Sequence, residues 1–305
     1  MTGPTIDRVL VDENVELSCV EWRAHDSGAA DGATPILLVH GLASNAHLWD
    51  GVARSLADSG HHVVAVDQRG HGLSSKPTSG FDFGTLTRDL ANVISHCGWH
   101  SDDRAHDTSP SAGPPFVAGQ SWGANVVLEL AARYPGSVSG IALVDGGTND
   151  LADSFADWPT CQAALAPPVL EGMSAKKFES FIRSSHPDWP EEGVQGTIAN
   201  VESRADGTIQ PWLSRENHMT ILHQLWEHHP SKRFGDVAVP VLIVPADDPS
   251  NQRWSVGKHD SVRRAAESLP CSVTHWLVGD HDLHAQHPIE VAHLIDLASR
   301  PGFFD

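Results

Sequence analysis

Two hydrophobic rhythms alternate along the chain. Near the start, Val15-Glu16-Leu17-Ser18-Cys19-Val20-Glu21-Trp22 alternates apolar and polar residues, the period of a half-buried strand. Later apolar runs are continuous, at 36–39, 63–66, 116–118, 141–144 and 241–244. Such runs predict strands covered on both faces, as in a parallel sheet under helices. Between them, apolar residues recur at helical spacing: Leu48, Val52 and Leu56; Leu86, Leu90 and Ile94; Val126, Val127, Leu130 and Ala131. A last strand is expected over 273–278, followed by a closing helix that carries Val291, Leu294 and Ile295. Strand and helix in alternation predict an α/β domain with right-handed crossovers.

Two stretches break this rhythm. Residues 100–114 are rich in Ser, Asp, Pro and Gly and predict an exposed loop. Residues 148–235 hold no strand-like run but carry Trp158, Trp189, Trp212, Trp226 and one amphipathic helix (Met219, Leu222, Leu225, Trp226). They are expected to form a helical cap inserted into a core built from 1–147 and 236–305. Within that cap Trp158, Trp212 and His218 are the candidate pocket-lining residues, although aromatic residues at helical spacing more often serve packing.

Gly119-Gln120-Ser121-Trp122-Gly123 follows the strand that ends at Ala118 and opens the helix through Val126. This is G-x-S-x-G in the strand–turn–helix context that makes it a nucleophile elbow. Side chains two positions either side of Ser121 would collide in so sharp a turn, and glycine removes both clashes. A serine hydroxyl needs a base. Among twenty histidines, His281 lies in the loop just past the last predicted strand, facing the end of the sheet where ligands bind. His284 and His287 compete but lie closer to the final helix.

The histidine in turn needs a carboxylate to orient it. Asp248, Asp247 and Asp145 all follow strands, and all fit the chain order Ser, Asp, His; Asp248 is the preferred candidate. An oxyanion hole can come from the Leu42 amide, in the tight loop His40-Gly41-Leu42-Ala43, and the Trp122 amide at a helix N-terminus.

Composition narrows the class without naming the reaction. The length, 305 residues, suits one sizeable α/β domain with an insertion. Lys and Arg total 20 against 39 Asp and Glu, and the net charge of −19 argues against nucleic acid or an anionic bilayer as partner. No apolar window is long enough to span a membrane, and the N-terminal residues lack the pattern of a secretory signal. Cys19, Cys97, Cys161 and Cys271 lie far apart without a CxxC, so reduced thiols and a cytoplasmic setting are expected. The histidine clusters lack HExxH, and no G-x-G-x-x-G follows a strand, so neither a metal nor a dinucleotide cofactor is expected.

Taken in order, His40-Gly41-Leu42, Asp67-Gln68-Arg69-Gly70-His71-Gly72, 119–123, Asp248 and His281 resemble the α/β-hydrolase superfamily in its cap-bearing serine hydrolase and esterase branch. The similarity runs from about Thr34 to Leu297. It implies Ser121 as nucleophile, His281 as base, Asp248 as acid, Leu42 and Trp122 as oxyanion donors, and a structural role for the segment at 67–72. Two positions depart from the family pattern: Pro245-Ala246 stands where glycine often precedes the acid, and Asp280 precedes His281, where its charge is expected to raise the imidazole's basicity. Relatives that open epoxides or displace halide carry aspartate at the elbow, so Ser121 points instead to acyl transfer on a small or medium carboxylic ester or lactone. The same triad serves carbon–carbon hydrolysis of diketones and cofactor-free perhydrolysis or haloperoxidase chemistry, and a non-catalytic ligand receptor on this scaffold is a third reading. Oligomeric state is not legible.

Overall fold

The continuous apolar runs become strands of one sheet whose side chains point alternately into two cores. The computed structural model describes residues 3–24, 33–100, 113–248 and 252–304, the side chains of 252–256 excepted. In chain order the strands are β1 (Thr5–Asp12), β2 (Val15–Trp22), β3 (Ile36–Val39), β4 (Val63–Val66), β5 (Phe116–Gln120), β6 (Gly140–Val144), β7 (Val201–Ser203), β8 (Ile209–Pro211), β9 (Val241–Val244), β10 (Ala246–Asp247), β11 (Ser272–Thr274) and β12 (Leu277–Val278). The helices are α1 (Asp50–Asp58), α2 (Phe83–His96), α3 (Trp122–Arg133), α4 (Trp158–Leu165), α5 (Ala175–Ser185), α6 (Glu191–Ile198), α7 (Arg215–Glu227), α8 (Gln252–Ser268), α9 (Leu283–Gln286) and α10 (Pro288–Ala298).

The main sheet has the order β1-β2-β4-β3-β5-β6-β9-β11. Its first two pairings are antiparallel and the rest parallel. Leu37 and Val39 of β3 join a core with α2, α3 and α8, whereas Ile36 and Leu38 join the opposite core with α1 and α10. Both faces are thus covered, which explains why these strands show no polar alternation. Full burial contributes about 1.5–3 kcal/mol for each such aliphatic side chain.

The structure departs from the sequence expectations in three places. β1 is an additional edge strand; Val9 and Val11 are buried but Ile6 and Leu10 are exposed, so apolar residues on both faces obscure its period. The strand expected over 273–278 is two pieces, with β12 pairing to β10 rather than joining the main sheet. The insertion between β6 and β9 is mostly helical but includes the β7–β8 hairpin, which turns near Asp206-Gly207, with Gly207 at φ +82°. Most of the loop expected at 100–114 lies outside the described residues.

This insertion packs beside the strand ends that carry the candidate site. Trp189 and Val194 share a core with Leu48 and Ala285, and Leu151, Cys161 and Leu222 form another core, against which Leu42 packs. Below it, the segment at 67–72 ties loops together as expected. Asp67 accepts from the Ala46 amide at 2.7 Å and from the Leu73 amide at 2.8 Å. Arg69 forms a two-pronged ion pair with Asp89 of α2 at 2.6 and 2.7 Å, both side chains 3% exposed. Removing one partner strands a charge in the interior. Asp89→Ala is therefore expected to lower the free energy of unfolding by about 3–5 kcal/mol, read from urea unfolding at neutral pH.

Candidate active site

Ser121 sits at the turn from β5 into α3 with φ 54° and ψ −122°, a backbone conformation that L-residues avoid. The surroundings hold it there: its amide donates to Val144 O at 3.0 Å, and its carbonyl accepts from the Ala124 amide at 3.0 Å and from Asn125 Nδ2 at 3.2 Å. The flanking glycines are a steric requirement. A Cβ on Gly119 would lie 2.4 Å from Gly123 O, and one on Gly123 would lie 2.4 Å from His40 O.

Ser121 Oγ is 2.8 Å from His281 Nε2, and His281 Nδ1 is 2.6 Å from Asp145 Oδ2. These partners fix the tautomer: Nδ1 donates to the carboxylate and Nε2 accepts from the hydroxyl. The sequence pairing of Ser121 with His281 is therefore brought together in space. His284 is fully buried against Trp49, and burial drives its imidazole down to about 3. His287 ends the short helix α9.

The carboxylate is Asp145, and the assignment of Asp248 is corrected. β5 and β6 are neighbours with Gln120 opposite Val144, so the residues that follow, Ser121 and Asp145, emerge side by side. A Cβ on Gly146 would fall 2.2 Å from Ser121 O, which measures how closely the two turns approach. Beyond β9, by contrast, the chain runs on through β10 in parallel register with β12, Ala246 opposite Leu277 and Asp247 opposite Val278. That extension carries Asp248 onward alongside the strand leading to His281, while the imidazole turns to Asp145. Asp247 instead accepts the Gly279 amide through its backbone carbonyl at 3.1 Å.

Asp145 is only 4% exposed on its side chain, yet every oxygen is engaged. Oδ1 accepts from the Ala246 amide at 2.9 Å and from Lys258 Nζ at 2.8 Å; Lys258 also reaches Oδ2 at 3.1 Å. Burial pushes this carboxyl up, but His281 and Lys258 outweigh it and hold the group below the ordinary aspartate value. For His281 desolvation acts downward, and the hydrogen bond and charge of Asp145, with the charge of Asp282, raise the imidazole above its ordinary value. The Asp280 carboxylate accepts from Trp189 Nε1 at 2.9 Å and from the Asp282 amide at 2.9 Å, a brace for the loop that carries His281.

The loop at 40–46 lies against the elbow. A Cβ on Gly41 would be 2.4 Å from Gln120 Oε1 and 3.1 Å from Ser121 Cβ. His40 Nε2 accepts from the Gln68 amide at 3.0 Å, and His71 Nε2 accepts from the Ala43 amide at 3.2 Å. Burial pushes both imidazoles down, which keeps those acceptor nitrogens free of protons. His40 is thus a structural residue, as expected. The Trp122 amide lies in the first turn of α3, where an amide has no acceptor within its own helix.

The three pocket-lining candidates make the following contacts. Trp158 meets His223 edge-on at 4.7 Å and Trp226 at 6.1 Å. Trp212 carries Lys76 Nζ over its ring at 5.4 Å. His218 is buried, and burial lowers it to about 4. Among the described residues, no group of three or more His, Cys, Asp or Glu side chains is arranged to hold a metal, and no helix is long and apolar enough to cross a membrane.

A family profile described as the alpha/beta hydrolase fold matches residues 34–248. The chain belongs to the α/β-hydrolase-fold family. A 2-(acetamidomethylene)succinate hydrolase from Mesorhizobium japonicum is 26% identical over 243 residues, covering 79% of this chain and 80% of the relative. Epoxide hydrolase A from Mycobacterium tuberculosis is 31% identical over 215 residues, covering 69% of this chain and 57% of that protein. The crystal structure of an E-2-(acetamidomethylene)succinate hydrolase superposes with a TM-score of 0.70 at 22% identity, over 96% of this chain and 97% of the other.

Sequence reasoning weighed Asp145 but preferred Asp248, and it missed Lys258 and Gly146 altogether. The signal available for Asp145 was its place immediately after the strand next to the elbow strand. Because Asp145 holds the His281 imidazole up, Asp145→Asn is expected to lower the His281 titration midpoint, whereas Asp248→Asn leaves it in place. An NMR titration of the His281 ring, assigned by its loss in His281→Gln, measures both.

Proposed function

We propose that this α/β-hydrolase-fold protein is a serine hydrolase that cleaves a small or medium carboxylic ester or lactone. The observation that carries this reading is the continuous Ser121–His281–Asp145 hydrogen-bond relay at 2.8 and 2.6 Å, beside a tight backbone loop. Ser121 Oγ attacks the carbonyl carbon while its proton passes to His281 Nε2. The resulting oxyanion meets the Leu42 and Trp122 amides; one such donor contributes about 3–4 kcal/mol to the transition state. The imidazolium then protonates the departing alkoxide, leaving an acyl-serine. Water, deprotonated by the same Nε2, attacks the acyl carbon and frees Ser121.

The elbow residue also bears on the chemistry of the relatives. An aspartate nucleophile that attacks an epoxide or alkyl halide forms an ester, which water can cleave. Serine attacking the same carbon would form an ether with no carbonyl to hydrolyse, so turnover would end after one event. Serine at 121 therefore favours acyl substrates even though an epoxide hydrolase is among the relatives. The relative named as a 2-(acetamidomethylene)succinate hydrolase makes amides a second acyl class for the same relay. Diketone cleavage and peracid formation use the same three residues and are further alternatives, beside a non-catalytic ligand receptor on this scaffold.

Purified protein is expected to hydrolyse p-nitrophenyl esters or lactones faster than amides, diketones or peracid precursors, and to be labelled by a fluorophosphonate at Ser121. Ser121→Ala should lose both turnover and label, and Asp145→Asn should lower kcat by about 10⁴ while the fold persists. Ester turnover that survives in Ser121→Ala overturns the reading; a clear preference for another substrate class moves it to that class.

A further inference from the structure

The carboxylate that orients His281 does not stand alone. Lys258, on the second turn of α8, places its ammonium 2.8 and 3.1 Å from the two oxygens of Asp145 and 3.0 Å from Ala246 O. Its three N–H donors thus have three acceptors. The helix that delivers it is anchored independently: Val262, Ala265 and Leu269 pack into the sheet core, and His259 stacks on Trp276 with centroids 4.1 Å apart. Lys258 is not a surface pairing, because its side chain is 25% exposed and that of Asp145 is 4% exposed. A buried carboxylate next to an imidazole requires only one hydrogen bond to orient the ring. Here the Ala246 amide and Lys258 hold Oδ1, so the carboxylate plane cannot turn and Oδ2 faces His281 Nδ1.

We infer that Lys258 is a positioning residue of the Ser121–His281–Asp145 site, fixing the plane of the Asp145 carboxylate and offsetting part of the charge that His281 meets. This rests on the hydrolytic reading for its effect on turnover, but its effect on the imidazole is independent of any substrate. The groups that act on His281 are Asp145 beyond β6, Lys258 from α8, Asp282 in its own loop and His284 on α9; around them, Asp280 and His186, 3.5 Å apart, act on Asp282, and His40 in the loop after β3 acts on His284. Lys258 is the cation among them that touches Asp145, and its charge acts to lower His281 against the upward pull of the carboxylates. Asp145 and Asp282 without that cation would further stabilise the imidazolium, and a base that is protonated at working pH cannot accept the serine proton. A cavity of about 30 Å³ lined by Asp145, Thr148, Asn149, Pro245, Lys258 and Val262 adjoins the pair, so the site can admit water when the ammonium is removed.

The test compares Lys258→Met and Lys258→Arg with wild type by two readouts. NMR titration of the His281 ring is expected to show the midpoint moved upward in Lys258→Met and returned toward wild type in Lys258→Arg. With a p-nitrophenyl ester, the acid limb of kcat/KM is expected to move upward with it, and kcat to fall about tenfold to a hundredfold, the scale of a misplaced catalytic group, with KM little changed. A Lys258→Met protein that is folded, titrates at His281 like wild type and turns over at the wild-type rate overturns the inference. If Lys258→Met does not fold, Lys258→Gln carries the same comparison, since it too lacks the charge. Turnover that persists in Ser121→Ala counts against the hydrolytic reading alone, because the ring titration still reports on Lys258.

Discussion

The register between β5 and β6 is the constraint on which the site depends. With Gln120 opposite Val144, the next residue on each strand leaves the sheet at the same level. Both of those residues adopt positive φ, 54° at Ser121 and 42° at Asp145, conformations that cost non-glycine residues on the order of 1–3 kcal/mol each. The strain persists because ladder hydrogen bonds fix both turns: Ser121 N to Val144 O at 3.0 Å and Asp145 N to Val244 O at 2.9 Å. A slip of one residue would reverse the faces of every side chain on β6 and separate the carboxylate from the imidazole. Sheet pairing, which is distributed over eight strands, thus supports an alignment of three residues, Ser121, His281 and Asp145.

Histidine shows how far composition is from chemistry in this chain. Twenty are present, and among the described residues His281 faces the serine. Others work as buried hydrogen-bonding groups. His40 and His71 accept backbone amides on either side of the elbow loop, His61 pairs with Asp296 at 2.8 Å, and His228 pairs with Glu129 at 3.0 Å. His40 and His71 can hold a loop near the nucleophile only while neutral, since a protonated ring has no acceptor. Burial enforces that state, so the same desolvation that makes them poor bases makes them good scaffolding.

What was legible in the sequence was local. G-x-S-x-G is a steric rule within five residues, and the loop after β3 and the histidine after the last strand are tied to nearby strand ends. The fold class followed for the same reason, because burial on both faces leaves continuous apolar runs at β3, β4, β6 and β9. The acid was not legible, because three aspartates follow strands and the choice among them depends on which strand lies next to β5. Sequence order places Asp248 nearer to His281; sheet order places Asp145 next to Ser121. The two-residue strands β10 and β12, which carry Asp248 onward, are too short to show any period. Lys258 was hidden for a similar reason: 113 residues separate it from Asp145, and a lysine on a helix carries no sign of what it will meet.

Exposure falls steeply across the relay, and that gradient suits the two proposed half-reactions differently. Asp145 is 4% exposed and His281 is 56% exposed on the side chain. The carboxylate works by its charge, and charge acts more strongly where water is excluded. Its own burial would drive it to take up a proton, and His281 first and Lys258 second oppose that by stabilising the ionised form. The imidazole has the opposite need. In the proposed second half-reaction its Nε2 would take a proton from water, and a rim position that admits solvent would supply the co-reactant without a dedicated channel. Burying His281 as deeply as Asp145 would strengthen the relay but restrict that water; exposing Asp145 as much as His281 would weaken its hold on the ring. The dry carboxylate, the wet imidazole and the cation behind them form one arrangement, and the insertion that packs against Leu42 and Ala285 lies beside it.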